Sequence, residues 1–164
     1  DENIFTPRYH DGHLYFATGH RVGSRLLKLN VQGDKCAVDL VWKTERLDSH
    51  HGDVLLIDGC LYGYAHGKYK WCWECLDWKT GKLMHSVRTP TKGSITFADG
   101  LIYARNEKGL VELIRPTPER REVISSFHIP KGGRGPTWAH PVVCGGRLYL
   151  RHSDFLYAYD IKGK

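Results

Sequence analysis

Ten histidines and five cysteines are the residues of this 164-residue chain best suited to chemistry. Three short stretches concentrate the interesting ones: His50-His51-Gly52-Asp53, Lys92-Gly93-Ser94 and Trp138-Ala139-His140-Pro141. An imidazole beside a carboxylate can hold a metal or exchange protons near neutral pH. His51, Asp53 and His140 therefore form a candidate metal set. Lys92 with Trp138 suits an anionic or sugar-like ligand, and His50 and Ser94 complete the group of ligand-binding candidates. The plainer alternative is that these side chains satisfy exposed backbone and bind water. Of the other seven histidines, His10, His13, His20, His66, His128 and His152 read as loop or strand-face residues with no partner apparent in the sequence, and His85 lies in a predicted fourth strand.

Cys72-Trp73-Glu74-Cys75 has the spacing of a chelating or redox pair. Leu76 stands where a haem-attachment site needs His, and no second pair supports a zinc site. The segment alternates as a strand, so residues three apart point to opposite faces. Free or buried thiols are the expectation, with a disulfide or a metal as the alternative. The odd count of Cys36, Cys60, Cys72, Cys75 and Cys144 excludes complete internal pairing.

The elements that position these residues repeat. Asp11-Gly12-His13-Leu14-Tyr15 returns as Asp58-Gly59-Cys60-Leu61-Tyr62, as Asp99-Gly100-Leu101-Ile102-Tyr103 and as Gly145-Gly146-Arg147-Leu148-Tyr149. The aligned tyrosines are 47, 41 and 46 residues apart. Asp-Gly between apolar runs is a tight hairpin signal. Each unit reads as four strands, and a period in the forties with four strands per unit is the pattern of propeller blades. The prediction is an all-β chain, a β-propeller segment spanning 1–164, with blades over about 4–46, 47–90, 91–130 and 131–164. The recurring Tyr15, Tyr62, Tyr103, Tyr149, Trp42 and Trp73 are expected in the core between blades and not as a base-stacking platform.

The fourth unit has three strands where the others have four, so the last blade is predicted to be incomplete. The chain then corresponds to the C-terminal part of a larger propeller, or two copies meet to complete a ring; a closed ring of four blades is the lower-ranked alternative. The first strand of each blade lines the channel. Counting back from each turn makes Thr6, Asp53, Ser94 and His140 equivalent, with His51, Lys92 and Trp138 just before. The chemistry-bearing residues are thereby predicted to converge at one mouth.

The signature turns, Leu76-Asp77-Trp78-Lys79-Thr80-Gly81-Lys82 and the blade-ending Val41-Trp42 resemble the PQQ-like β-propeller repeats. These are named for pyrroloquinoline-quinone dehydrogenases and occur also in the propeller lipoprotein of the outer-membrane barrel assembly machinery. His50-His51-Gly52, Lys92-Gly93-Ser94 and Trp138-Ala139-His140-Pro141 are similar to a subgroup labelled quinoprotein-like. The chain departs from the pattern at His85, where Trp is usual, and at Arg115-Pro116-Thr117-Pro118, which replaces a turn. The resemblance implies a full ring of seven or eight blades, of which this chain is the C-terminal half, in a bacterial protein of the periplasm or otherwise exported. The dehydrogenases of this fold use an Asp base, a Ca²⁺ held by carboxylate and amide oxygens, and often adjacent cysteines. No such set assembles here: no two Cys are adjacent, and Asn occurs only at Asn3, Asn30 and Asn106. PQQ and Ca²⁺ are thus not supported by this chain alone, and no catalytic residue is assigned.

Net charge is +6 with a pI near 9.1. The basic residues are dispersed among predicted loops, which favours solvated loop charge over a nucleic-acid surface. No apolar run approaches the ~20 residues of a membrane helix. The expected function is a non-catalytic module that binds a protein, a glycan or a small molecule. The alternative is part of a quinone- or metal-dependent oxidoreductase whose remaining ligands lie outside this chain.

Overall fold

The computed structural model describes residues 5–69, 71–130, 132–135 and 137–163. These residues form fifteen strands and no helix. Blade one is β1 (Arg8–His10), β2 (His13–Thr18), β3 (Gly23–Gln32) and β4 (Lys35–Thr44). Blade two is β5 (Val54–Ile57), β6 (Cys60–Ala65), β7 (Cys72–Asp77) and β8 (Leu83–Arg88). Blade three is β9 (Gly93–Ala98), β10 (Leu101–Asn106), β11 (Leu110–Arg115) and β12 (Glu122–His128). The fourth sheet has three strands, β13 (Val142–Cys144), β14 (Arg147–His152) and β15 (Phe155–Asp160). Every sheet is an antiparallel meander in sequence order.

The repeated turns explain why the signature is so regular. Asp11, Asp58 and Asp99 have φ of 45°, 47° and 51°, and the glycines after them have φ of 71°, 76° and 76°. Two successive positive φ values define a type I′ turn, whose twist matches that of the flanking strands. Gly145-Gly146 meets the same demand with φ of 58° and 75°. Blades one to three also share a bulge between the third and fourth strands, at Leu26/Leu27, Cys75/Leu76 and Leu113/Ile114. A bulge in the outer half of a blade adds to the local right-handed twist.

Successive blades share cores. Tyr15, Ala17 and Leu26 of blade one pack with Val54, Leu61, Leu76 and Trp78 of blade two. Tyr62, Tyr64, Trp73 and Cys75 of blade two pack with Ile95, Ile102, Ala104 and Ile114 of blade three. Val111 and Ile129 pack with Leu148 and Leu150 of blade four. Tyr15 and Tyr62 are buried in these cores and Tyr103 packs against the third, whereas Tyr149, expected between blades, is half-buried and belongs to none of them.

The third strand of blade two is sandwiched on both sides, so Trp73 to Leu76 are all buried. Trp73 and Cys75 belong to the core with blade three, while Leu76 belongs to the core with blade one. The Cys-x-x-Cys spacing thus lies on a two-sided buried strand, and all five thiols are free. Burial and the neighbouring Cys60 push the Cys75 thiol up to about 12. At pH 8 its thiolate fraction is ~10⁻⁴, against roughly a quarter for an ordinary thiol of pKa ~8.5. In the native protein a disulfide reagent is expected to titrate the exposed Cys36 and Cys144 first, with Cys75 at least ~1,000-fold slower and Cys60 shielded by its burial. Rapid labelling of more than three thiols before denaturant is added contradicts this.

Candidate functional site

An antiparallel meander returns the turn between a blade's second and third strands to the end where its first strand begins. In blade three Asn106 pairs with Gly93, and the Glu107 N–H donates to the Lys92 carbonyl at 3.1 Å. Glu107 is thereby seated beside the predicted Lys92. Its carboxylate becomes a hub for three blades. Thr91 Oγ1 donates to Oε2 at 2.7 Å, and Trp138 Nε1 of blade four donates to Oε1 at 2.8 Å. His51 Nε2 of blade two lies 3.4 Å from Oε1, and Lys92 Nζ lies 3.9 Å from it. Burial pushes the Glu107 carboxyl up, but the hydrogen bonds from Thr91 and Trp138 and the Lys92 charge outweigh it. The group sits below the usual carboxylate range.

His51 is buried and stacks on the Trp138 indole at 5.3 Å with 28° between the planes. Burial first, and the Lys92 cation second, lower its pKa to about 4 against the opposing pull of Glu107. The ring is neutral at physiological pH. Its Nδ1 lies 3.3 Å from Ser94 Oγ, which donates to the Trp138 carbonyl at 3.2 Å. Lys92 Nζ lies 2.9 Å from His50 Nδ1 and 5.7 Å from the Trp138 ring centroid. Trp138 is nevertheless 46% exposed.

Asp53 adopts φ +67°, a conformation Asp tolerates better than most residues. Its carboxylate pairs with Arg8 of blade one, and Oδ1 accepts from the Val54 N–H at 2.8 Å. His140 Nε2 lies 2.7 Å from the His51 carbonyl. Phe5, Thr6, His50, His51, Asp53 and His140 line one cavity of about 40 Å³. All seven candidates therefore gather at one mouth: His50, His51, Asp53, Lys92, Ser94, Trp138 and His140. For the metal set the arrangement is different. The donor atoms of His51, Asp53 and His140 are engaged with Glu107 and Ser94, with Arg8, and with the His51 carbonyl respectively.

Three residues at this mouth were not singled out from sequence. Glu107 is one. His20 and His66 are the others, and they are not the isolated loop residues expected: both pack against His50, with ring centroids 5.3 and 4.8 Å away. All three sit at or beside second-to-third-strand turns, which the blade register assigns to the same mouth.

The quinone and Ca²⁺ that the resemblance implies do not fit this donor set. Asn30 donates to Asp39 in an exposed hairpin, and Asn106 Oδ1 accepts from the Lys108 and Leu110 amides in its own turn. Asp53 and Glu107 are each committed to a cation of this chain.

Solved structures supply the likeness. The chain is similar to BamB from Moraxella catarrhalis, with 16% identity and a TM-score of 0.60 over 93% of this chain and 41% of that one. It is similar to quinohemoprotein alcohol dehydrogenase ADHIIG from Pseudomonas putida HK5, with 18% identity and a TM-score of 0.62 over 89% of this chain and 28% of that one. A weaker likeness is to Kluyveromyces lactis Hsv2, at 12% identity and a TM-score of 0.52 over 88% of this chain and 51% of that one. The chain spans less than half the length of the first two. No protein-family model and no curated protein sequence matches it. These likenesses show the fold, a β-propeller of the PQQ-like repeat type.

Proposed function

We propose that this chain is a non-catalytic propeller module that binds a protein or small ligand at the mouth described above, within an exported bacterial protein. Among the described residues no helix is long and apolar enough to cross a membrane. The observation that carries the reading is Trp138. It is half-exposed, yet held by Glu107, His51 and Lys92 from two other blades. An aromatic face fixed in advance and left open is what a sugar ring or an apolar side chain stacks upon. Beside it lies an open cleft of about 320 Å³ lined by Trp138, Ala139, Arg151 and Ser153, at the lower end of the size of small-ligand sites. With Arg151 in its lining, an acidic sugar fits best among small ligands.

Calorimetric titration with galacturonate and glucuronate oligomers tests this reading. The expected result is saturable binding that Trp138→Ala weakens at least tenfold, about 1.4 kcal/mol. No heat from acidic or neutral oligosaccharides, and none from peptides, overturns it.

The second reading, part of a quinone- or metal-dependent oxidoreductase, is favoured by the likeness to the alcohol dehydrogenase. Its remaining ligands then lie outside this chain. Titration of a protein that carries those ligands together with this chain, using pyrroloquinoline quinone and Ca²⁺, separates the two, because tight stoichiometric binding supports only the second.

A further inference from the structure

We propose that His20, His50 and His66 form a site for one divalent transition-metal ion, of the zinc, copper or nickel type. The three rings make a near-equilateral triangle, with centroids 5.3, 5.4 and 4.8 Å apart. One nitrogen from each lies within 4.8 Å of the other two. Zinc with Zn–N of ~2.0–2.1 Å holds its nitrogens ~3.3 Å apart in a tetrahedron. The rings thus draw in by ~1.5 Å or less, a movement that rotation of the exposed His20 supplies. An all-imidazole set suits these metals and lacks the oxygens that Ca²⁺ or Mg²⁺ needs.

The backbone around the triangle is built to hold it. His20 lies in the turn between β2 and β3, and His66 directly follows β6, so the two come from different blades. Asp48, fully buried, joins them. Its Oδ1 accepts the His66 N–H at 2.9 Å and its Oδ2 accepts the Arg21 N–H at 3.3 Å. A Cβ on Gly67 would lie less than 3.0 Å from both Asp48 Oδ2 and the Arg21 nitrogen, so glycine is needed for the two turns to meet. His20 and Arg21 have φ of +61° and +74°, an unusual run for non-glycine residues that this clamp maintains. Lys92 Nζ donates to His50 Nδ1 at 2.9 Å, so metal binding by that ring requires the ammonium to shift toward Glu107, 3.9 Å away. An adjoining cavity of about 210 Å³, lined by His20, Arg21, His66 and Gly67, leaves room for water or a ligand on the fourth position.

The His50 ring lies 5.8 Å from the Trp138 indole, so the two sites adjoin, but the cleft is lined by other residues and the metal test uses none of its ligands. The test uses a Cys36→Ser/Cys144→Ser background, which removes the exposed thiols as competing ligands. Zn²⁺ titration by calorimetry is expected to give one site per chain. Co²⁺ is expected to give visible d–d absorption of a tetrahedral or five-coordinate centre. His20→Ala and His66→Gln are each expected to lower affinity at least tenfold with an unchanged far-ultraviolet dichroism spectrum. His128→Ala, on the exposed outer strand β12, is expected to keep the affinity. Zn²⁺ affinity unmoved by His20→Ala and His66→Gln, or lost with His128→Ala alone, overturns the assignment. If His66→Gln unfolds the chain, His20→Ala, on an exposed turn, decides alone.

Discussion

Glu74→Ala is expected to destabilise the fold by about 3–5 kcal/mol, the cost of removing one partner from a buried charged pair. Glu74 is fully buried in the middle of β7. Its Oε1 accepts from Arg46 Nη1 at 2.7 Å and from Ser86 Oγ at 3.4 Å, and its Oε2 accepts the Leu47 N–H at 2.9 Å. Arg46 and Leu47 belong to the crossover from blade one to blade two. Leu47 is itself fully buried and adopts φ +43°, a conformation that a bulky residue holds only when its surroundings enforce it. Alanine leaves the Leu47 amide without its acceptor and the Arg46 guanidinium without its counter-charge. Arg46 stacks over Tyr69 at 3.4 Å from the ring centroid, which holds the cation near the vacated pocket. At roughly 2–4 °C per kcal/mol for a chain of this size, Tm falls by about 6–20 °C. Glu74→Gln keeps an acceptor for Leu47 and is expected to cost less than half as much. Urea denaturation of the three proteins measures both differences, and a Glu74→Ala loss below about 1 kcal/mol contradicts the assignment.

That residue sits inside Cys72-Trp73-Glu74-Cys75, where the sequence draws attention to the cysteines. The reason is general to this fold. Turn chemistry is local, so the Asp-Gly pairs announce the blades through a backbone demand that few residues meet. Strand partners within a blade follow from the turns. Contacts between blades do not, because they join residues far apart in the chain, 28 positions for Arg46 with Glu74 and 89 for His51 with His140. The mouth was legible in part for the same reason. Equivalent positions before the first strand could be counted from each turn, which gathers Asp53, Ser94 and His140. Glu107, His20 and His66 carry no shared motif, and their turns differ in length from blade to blade. Only the meander's register, Asn106 against Gly93 and Ala65 against Cys72, brings them to the same end. The bulges between third and fourth strands left no mark in the sequence, since Leu26, Cys75 and Leu113 share no special residue type.

Gly52→Ala is expected to be the second most damaging substitution, for a reason that lies in propeller geometry. Blades fan outward, so their inner strands approach most closely. At blades two and three the approach is backbone to backbone. The Ile95 N–H donates to the Gly52 carbonyl at 3.2 Å, and a Cβ on Gly52 would lie less than 3.0 Å from the Gly93 carbonyl oxygen. Gly52 does not have positive φ, so the demand is for space and not for conformation. The obstructing atom is main chain and cannot rotate away. Alanine must push the inner strands apart, at about 1–3 kcal/mol or more by analogy with overpacked cores. Gly59→Ala is the matched control: its φ is +76° with nothing within 4 Å of the added methyl, so only backbone strain of roughly 1–2 kcal/mol enters. The two changes also differ in what they do to the mouth. Gly52 is flanked by His51 and Asp53, so displacing it separates His51 from Glu107 and uncovers one face of Trp138. Gly59 lies at the opposite end of β5. The indole emission of Trp138 is therefore expected to shift to longer wavelength in Gly52→Ala and to stay unchanged in Gly59→Ala, with Trp138→Phe in each background isolating its signal. Equal stability loss in the two variants, with no emission change in either, means that the inner strands are not in the close contact described.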